Sequence, residues 1–526
     1  MSTTTDPNNL VLDGTALTPE NVYMIVTTPS LQISVGQEAL QKIKKSHAYL
    51  LAAAEHDIIY GVNTGFGPMA SHIIGRGQLR DLQYNLIRSH ASGVGPMIAE
   101  RFILAAMLDR LNTLSNGRSG VSERLIQQLV FFINNRIIPV VPEHGAVGTS
   151  GDLVQLAHIA LALIGEGESV HEGLRQPTAS ILIKLNISPL ELGPKEGLAL
   201  INGTSVMTGI AALLVVDAKK IVDIATRSGA LALELVHAFP DAFDEVLQQV
   251  RPHVGQGKIA ASLRYLFSGS KLVRDRKEFQ ARVRVEDALR TIPDDVQEVY
   301  SFRCLPQILG PVLDALLVAR GVVAVELNSV TDNPIIDIES NRFLHGGNFH
   351  CDYIATAMDQ LKIGMIKTTL LSERRINFFL NRAVNRTYPA FLNLANPGLT
   401  LALQGMQFVA TSTAAHSQSL AYPHSLHTIS TNADNQDVVS MGTDAALIAS
   451  RVIDNAFYLL TLELTTLAQA VDVAQAHADL SNEGRRLYEK VRAKVGTVQE
   501  DRSLTGELEG LCATLREDKD FALQDI

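Results

Sequence analysis

The 526-residue sequence predicts an all-α protein built on a long-helix bundle, and three observations carry that expectation. First, no glycine or proline interrupts residues 443–478, where Ala446, Ile448, Val452, Ile453, Ala456, Leu459 and Leu460 recur at three- and four-residue spacing. Second, residues 205–237, 310–327 and 353–382 carry the same periodicity, well past ordinary globular helix lengths. Third, hydrophobic residues make up 46% of the chain but aromatics only 5%, with no tryptophan, a composition that suits close helix packing better than a β-sandwich. Strand signals are short, as in Ile335-Ile336-Asp337 after an Asn-Pro turn. With no linker or repeat to divide the chain, residues 1–200 read as shorter helices and loops, and residues 201–526 as long-helix bundle and C-terminal helices. Apolar helices this long favour oligomerisation, because one chain struggles to cover them.

The bulk numbers also exclude. A net charge of −10 argues against nucleic acid as a partner, and the basic run 271–284 reads as a solvated face. Cys304, Cys351 and Cys512 are too few and too scattered for a disulfide framework or a zinc site, so no metal is expected. The first residues lack the basic and apolar regions of a signal peptide. No clean apolar run of membrane-spanning length is expected either, Glu463 interrupting the best candidate. The expectation is a soluble cytoplasmic protein.

The most informative stretch is Gly145-Ala-Val-Gly-Thr-Ser-Gly-Asp-Leu153. The amide nitrogen of Gly151 can reach the carbonyl carbon of Thr149 and close a five-membered ring. Loss of water, and of the Ser150 hydroxyl, leaves a methylidene-imidazolone, an electrophile made from backbone. Glycine suits the third position because a Cβ there obstructs the compression ring closure needs. The same residues also read as an ordinary helix entrance, with Ser150 capping and Asp152 complementing the helix dipole.

The motifs around this loop decide between the two. Ile59-Tyr-Gly-Val-Asn-Thr-Gly-Phe-Gly67, Asn85-Leu-Ile-Arg-Ser-His-Ala-Ser-Gly93, Asn202-Gly-Thr-Ser205, Tyr300-Ser-Phe-Arg-Cys-Leu-Pro-Gln307, Asp332-Asn-Pro334, Gly346-Gly-Asn-Phe-His350 and Asn435-Gln-Asp-Val-Val-Ser-Met441 follow in order. Together they resemble the aromatic amino acid lyase family: histidine, phenylalanine and tyrosine ammonia-lyases and the related aminomutases. The likeness covers roughly residues 55–480, and such an ordered series is far more specific than one short motif. One departure is Thr149, where alanine is usual; the position contributes mainly its carbonyl.

The resemblance implies a fumarase/aspartase-like superfold, a homotetramer whose active sites are shared between protomers, and a methylidene-imidazolone formed from Thr149, Ser150 and Gly151 with no external cofactor. It implies a small-molecule aromatic amino acid as substrate. Tyr60, on a glycine-flanked mobile loop that includes Gly67, corresponds to the base that removes the substrate's β-proton; a phenol with a pKa of about 10 needs a positive surrounding to act. Arg303 corresponds to the carboxylate clamp, where a guanidinium's paired donors orient better than lysine. Tyr300, one turn before it, is a proton-handling or hydrogen-bonding partner on the same face. Asn202 and Gln307 correspond to groups that hold the ring carbonyl or the substrate, and Asn333 and Phe349 to pocket-lining residues, though a turn or core role is open for both.

Specificity rests on two segments. Ser89-His90 resembles the pair of histidine ammonia-lyases, where His90 can hydrogen-bond an imidazole or donate to a phenol. Asn435-Gln436-Asp437 resembles the tyrosine and phenylalanine pattern instead, histidine enzymes having glutamate at the position of Gln436, and Asn432 stands where plant phenylalanine enzymes carry glutamate. On this balance the chain most resembles bacterial tyrosine ammonia-lyases of the histidine-lyase-like branch. The implied reaction is L-tyrosine to trans-p-coumarate and ammonia; histidine elimination, aromatic 2,3-aminomutation and a non-catalytic helical scaffold are the alternatives.

Overall fold

The computed structural model describes residues 8–283, 291 and 295–523. Residues 1–7 and Arg284 of the basic run lie outside them. The expected helices form at Ser205–Leu235, Leu305–Glu326, Asp352–Leu380 and Gly442–Ala474. The strand at Ile335–Asp337 pairs antiparallel with Arg342–Leu344. The chain makes two compact units, each assembled from three segments.

The first unit comprises residues 1–216, 318–359 and 423–449. Its sheets are small: Asn9–Leu12 runs parallel to Gln32–Val35, Val94–Met97 pairs with Pro142–His144, and Ile138–Pro139, Glu168–His171 and Leu174–Pro177 form a three-stranded ladder. At its core the Glu100–Ser115 helix is buried from Phe102 to its last residue. A helix submerged on every side has no solvated face for charge, so its polar residues must find partners inside. Arg110 does so by donating to the carbonyl oxygens of Ala199 and Asn202 at 3.3 and 3.1 Å. Lys195, also fully buried, donates to Asp332 at 2.6 Å and to the Ser119 carbonyl at 2.8 Å.

The second unit comprises residues 217–317, 360–422 and 450–526. Phe302, Phe378, Phe379 and Tyr388 pack edge to face, with the Tyr388 hydroxyl donating to the Leu235 carbonyl at 2.8 Å. Glu463 is buried here against Arg375 at 2.5 Å.

The expectation about membrane-length runs is corrected. Leu305–Glu326, with a mean hydropathy of 2.0, and Gly442–Ala474, at 1.3, are both long and apolar enough to cross a membrane by length and composition. The first reaches 22 residues because the helix begins at Leu305 and continues through Pro311, which reads in sequence as a breaker. The apolar stretch of Gly442–Ala474 is 78% buried within the protein, the character of a core helix. Leu305–Glu326 directs its charges at protein groups: Asp314 accepts from the Gly255 amide at 2.9 Å, and Arg320 donates to Glu20 at 2.8 Å.

Candidate active site

The loop 145–152 links the strand Pro142–His144 to the helix Leu153–Leu163 and borders a cavity of about 810 Å3 in the first unit. Gly151 sits at φ +78°, and a Cβ there would come within 1.9 Å of the Gly203 carbonyl oxygen. Only glycine fits, and the two backbones bridge, the Asp152 amide donating to that same oxygen at 2.8 Å. Asn202 donates through Nδ2 to the Ser150 carbonyl at 3.0 Å. Gln436 donates to Ser150 Oγ at 2.8 Å and accepts from the Thr149 hydroxyl.

These contacts are not those of an ordinary helix entrance. Asp152 stands at the N-cap of its own helix without a side-chain cap bond there. Its carboxylate instead accepts from the Val206 and Met207 amides at 2.8 and 3.0 Å, at the start of the Ser205–Leu235 helix, and from the Thr443 hydroxyl. Burial pushes its pKa up to about 6, against the lowering effect of those donors. The alternative reading, in which Asp152 complements its own helix and Ser150 caps it, does not describe these contacts: backbone pairing at Gly203 accompanies an Asp152 side chain turned toward a different helix. Two helix N-termini, at Leu153 and Ser205, adjoin the loop with their partial positive charge.

The residues fit the ring chemistry. Ring closure would make the Ser150 carbonyl the ring carbonyl, already held by Asn202; a donor there draws electron density toward oxygen and away from the methylidene carbon. Arg110 fixes the Asn202 backbone from below.

Around the loop the same cavity is lined by Tyr60, Gly67, Ser89, His90, Asn333, Phe349, Asn432, Asn435 and Gln436. The Tyr60 hydroxyl accepts from the Gly67 amide at 3.1 Å. Gly67 lies at φ +52°, and a Cβ there would approach Asn432 Nδ2 to 2.7 Å, so glycine lets Asn432 close on the tyrosine loop. Ser89 donates to the Leu86 carbonyl at 3.1 Å, and Asn333 accepts from the Gly346 amide at 2.9 Å.

His90 requires a change of sign. Its Nδ1 lies 2.9 Å from the Leu86 carbonyl, which only accepts, so Nδ1 carries the proton. In the neutral ring Nε2 then carries a lone pair and can only accept, where donation to a phenol was expected.

Tyr300, Arg303 and Gln307 belong to the second unit and do not line this cavity. Arg303 and Tyr300 share a helix face as the spacing implies, the guanidinium lying 4.5 Å from the ring centroid. Arg303 donates to the Glu298 carbonyl at 2.9 Å, and Gln307 Oε1 is buried without a hydrogen-bond partner among the described residues.

Sequence reasoning missed Gly203, Arg110 and the Asp152 carboxylate as supports of the loop, and Thr431, Val438 and His350 as lining. Arg110 had a signal: an adjacent Asp-Arg pair inside an otherwise apolar helix is rarely left unpartnered. The Asp152 partnership had none, since helix starts some fifty residues apart in sequence meet only through the fold.

The chain is 40% identical over 512 residues to a tyrosine ammonia-lyase of Cupriavidus metallidurans, covering 96% of each chain. It is 39% identical over 508 residues to a histidine ammonia-lyase of Geobacillus kaustophilus, covering 97% of each. A solved tyrosine aminomutase of Streptomyces globisporus superposes with a TM-score of 0.93 at 37% identity, over 98% of this chain and 97% of that one. The aromatic amino acid lyase model matches residues 17–493, and with a backbone cradle for a ring at Thr149, Ser150 and Gly151, the chain belongs to the aromatic amino acid lyase family.

Proposed function

We propose that this protein eliminates ammonia from L-tyrosine to give trans-p-coumarate, through a methylidene-imidazolone formed from Thr149, Ser150 and Gly151 without external cofactor. The observation that carries this is the loop itself: Gly151 pressed on the Gly203 carbonyl, with Asn202 on the Ser150 carbonyl, facing Tyr60 and His90 across one cavity. Once formed, the ring supplies an electrophilic carbon that takes the substrate's amine and makes it a leaving group.

The chain's own residues do the rest. Tyr60, whose hydroxyl oxygen is held by the Gly67 amide, removes the β-proton. His90 accepts the phenol's O–H at Nε2, fixing the far end of the substrate. A phenylalanine leaves that lone pair unmatched, at a cost of about 1–3 kcal/mol. Gln436, a neutral amide beside the reacting centre, suits an uncharged aromatic ring better than an imidazolium. Arg303, supplied with Tyr300 and Gln307 by neighbouring protomers of a homotetramer, clamps the carboxylate.

A substrate panel of tyrosine, histidine and phenylalanine, with and without Gln436→Glu, tests the specificity. Wild-type preference for histidine overturns the tyrosine reading. The likeness to an aminomutase supports a second reading, in which the amine returns to the neighbouring carbon. Chromatography of the product distinguishes them: an acrylate supports elimination and a β-amino acid supports migration.

A further inference from the structure

Closing the ring takes from residue 149 only its carbonyl carbon, yet the Thr149 side chain is not idle. It is 5% exposed, and its hydroxyl donates to Gln436 Oε1 at 2.5 Å while Gln436 Nε2 donates to Ser150 Oγ at 2.8 Å. Gln436 is also the residue that turns inward from an exposed stretch, residues 431–438 being otherwise solvent-facing. Its backbone is held on both sides. Thr431 and Gln436 exchange amide–carbonyl bonds at 3.1 and 3.3 Å, and further along Ser440 and Met441 donate to the Gly148 and Val147 carbonyls, each at 3.1 Å. Only the Gln436 side-chain torsions remain to be fixed, and two hydroxyls fix them.

Dehydration removes one of the two. When the Ser150 hydroxyl leaves as water, Gln436 loses that partner and keeps Thr149. We propose that Thr149 is a positioning residue, its hydroxyl holding the Gln436 carboxamide against the electrophile in the mature enzyme. Anchored at Oε1, the amide turns its N–H groups toward the incoming amino acid. Alanine, usual at this position, cannot do this, so in this chain a ring-forming residue also serves substrate recognition through its side chain. The inference rests on the reading that residues 149–151 cyclise.

The test uses Thr149→Val, which keeps the shape and deletes the hydroxyl, and Thr149→Ser, which restores it. Ring content is read by intact mass, as loss of two waters, and binding by titration with trans-p-coumarate. Ring content stays full in both variants. In Thr149→Val the product's Kd and the KM for tyrosine weaken about fivefold, as expected for one lost hydrogen bond, while Thr149→Ser stays close to wild type. Adding Thr149→Val to Gln436→Ala changes nothing further, because the hydroxyl acts only through that amide. Wild-type binding in Thr149→Val, or additive effects in the double variant, overturns the proposal. A ring lost in Thr149→Val but present in wild type overturns it too, by assigning the hydroxyl to cyclisation. A ring absent from wild type brings down the underlying reading itself.

Discussion

At the scale of single residues, the proposed chemistry depends on two atoms that are missing and one that is present. The missing atoms are the Cβ of Gly151 and of Gly67. Gly151→Ala puts a methyl group 1.9 Å from the Gly203 carbonyl, so the loop must open and the ring cannot close. The expected product is a folded chain at its full unmodified mass; loss of two waters in this variant would refute the backbone cradle. The atom present is the Tyr60 oxygen. Tyr60→Phe keeps the ring's edge-to-face packing on Phe66 and His345 and removes only the hydroxyl proposed as the base. We expect kcat to fall by about 10²–10⁴ with ring content unchanged, and a kcat near wild type would move the base elsewhere. The meeting of Thr149, Ser150 and Gly151 with Tyr60 and Asn202 at one cavity was legible in sequence, because the motifs that hold them are local and ordered. The direction of the His90 hydrogen bond was not. It depends on which ring nitrogen meets the Leu86 carbonyl, a matter of helix geometry that residue type does not encode.

At the scale of elements, the loop is stiff because helices and strand ends hold it. Asp152 joins three of them: its own helix Leu153–Leu163, the first turn of Ser205–Leu235, and Thr443 at the head of Gly442–Ala474. Long helices were readable from their periodicity, since the apolar repeat is a property of adjacent turns. The joint was not readable, and neither was the extension of Leu305–Glu326 through Pro311. The joint has a pH signature. The Asp152 carboxyl ordinarily titrates near 3.8 but in the fold near 6, so between those values the folded chain holds a proton the unfolded chain has lost. Its contribution therefore favours the fold at low pH and is lost as pH rises through about 6, a swing of order 3 kcal/mol. Asp152→Asn removes that swing. Denaturant midpoints measured across this window should slope less in the variant than in wild type; equal slopes would show that Asp152 is not the titrating group.

At the scale of the whole molecule, the candidate site residues divide between the two units, and only those of the first line the cavity with the ring-forming loop. Tyr60, His90, Asn202 and Gln436 gather there, whereas Tyr300 and Arg303 present an exposed tyrosine ring with a guanidinium over it, outside that lining. In the proposed function the carboxylate clamp is supplied to the cavity by another copy of the chain in a homotetramer. Closed symmetry makes this testable without solving the assembly. Neither Tyr60→Phe nor Arg303→Ala homo-oligomers should turn over tyrosine at more than a trace. Co-expressed in equal amounts, the two variants form mixed assemblies in which some sites draw Tyr60 from one chain and Arg303 from another, both native. Random mixing makes about one quarter of sites whole, so about a quarter of wild-type activity should return. If both groups served one site from a single chain, every site would lack one of them and nothing would return. The outcome thus separates a shared site from a private one, and mixing the two purified homo-oligomers without subunit exchange supplies the inactive control.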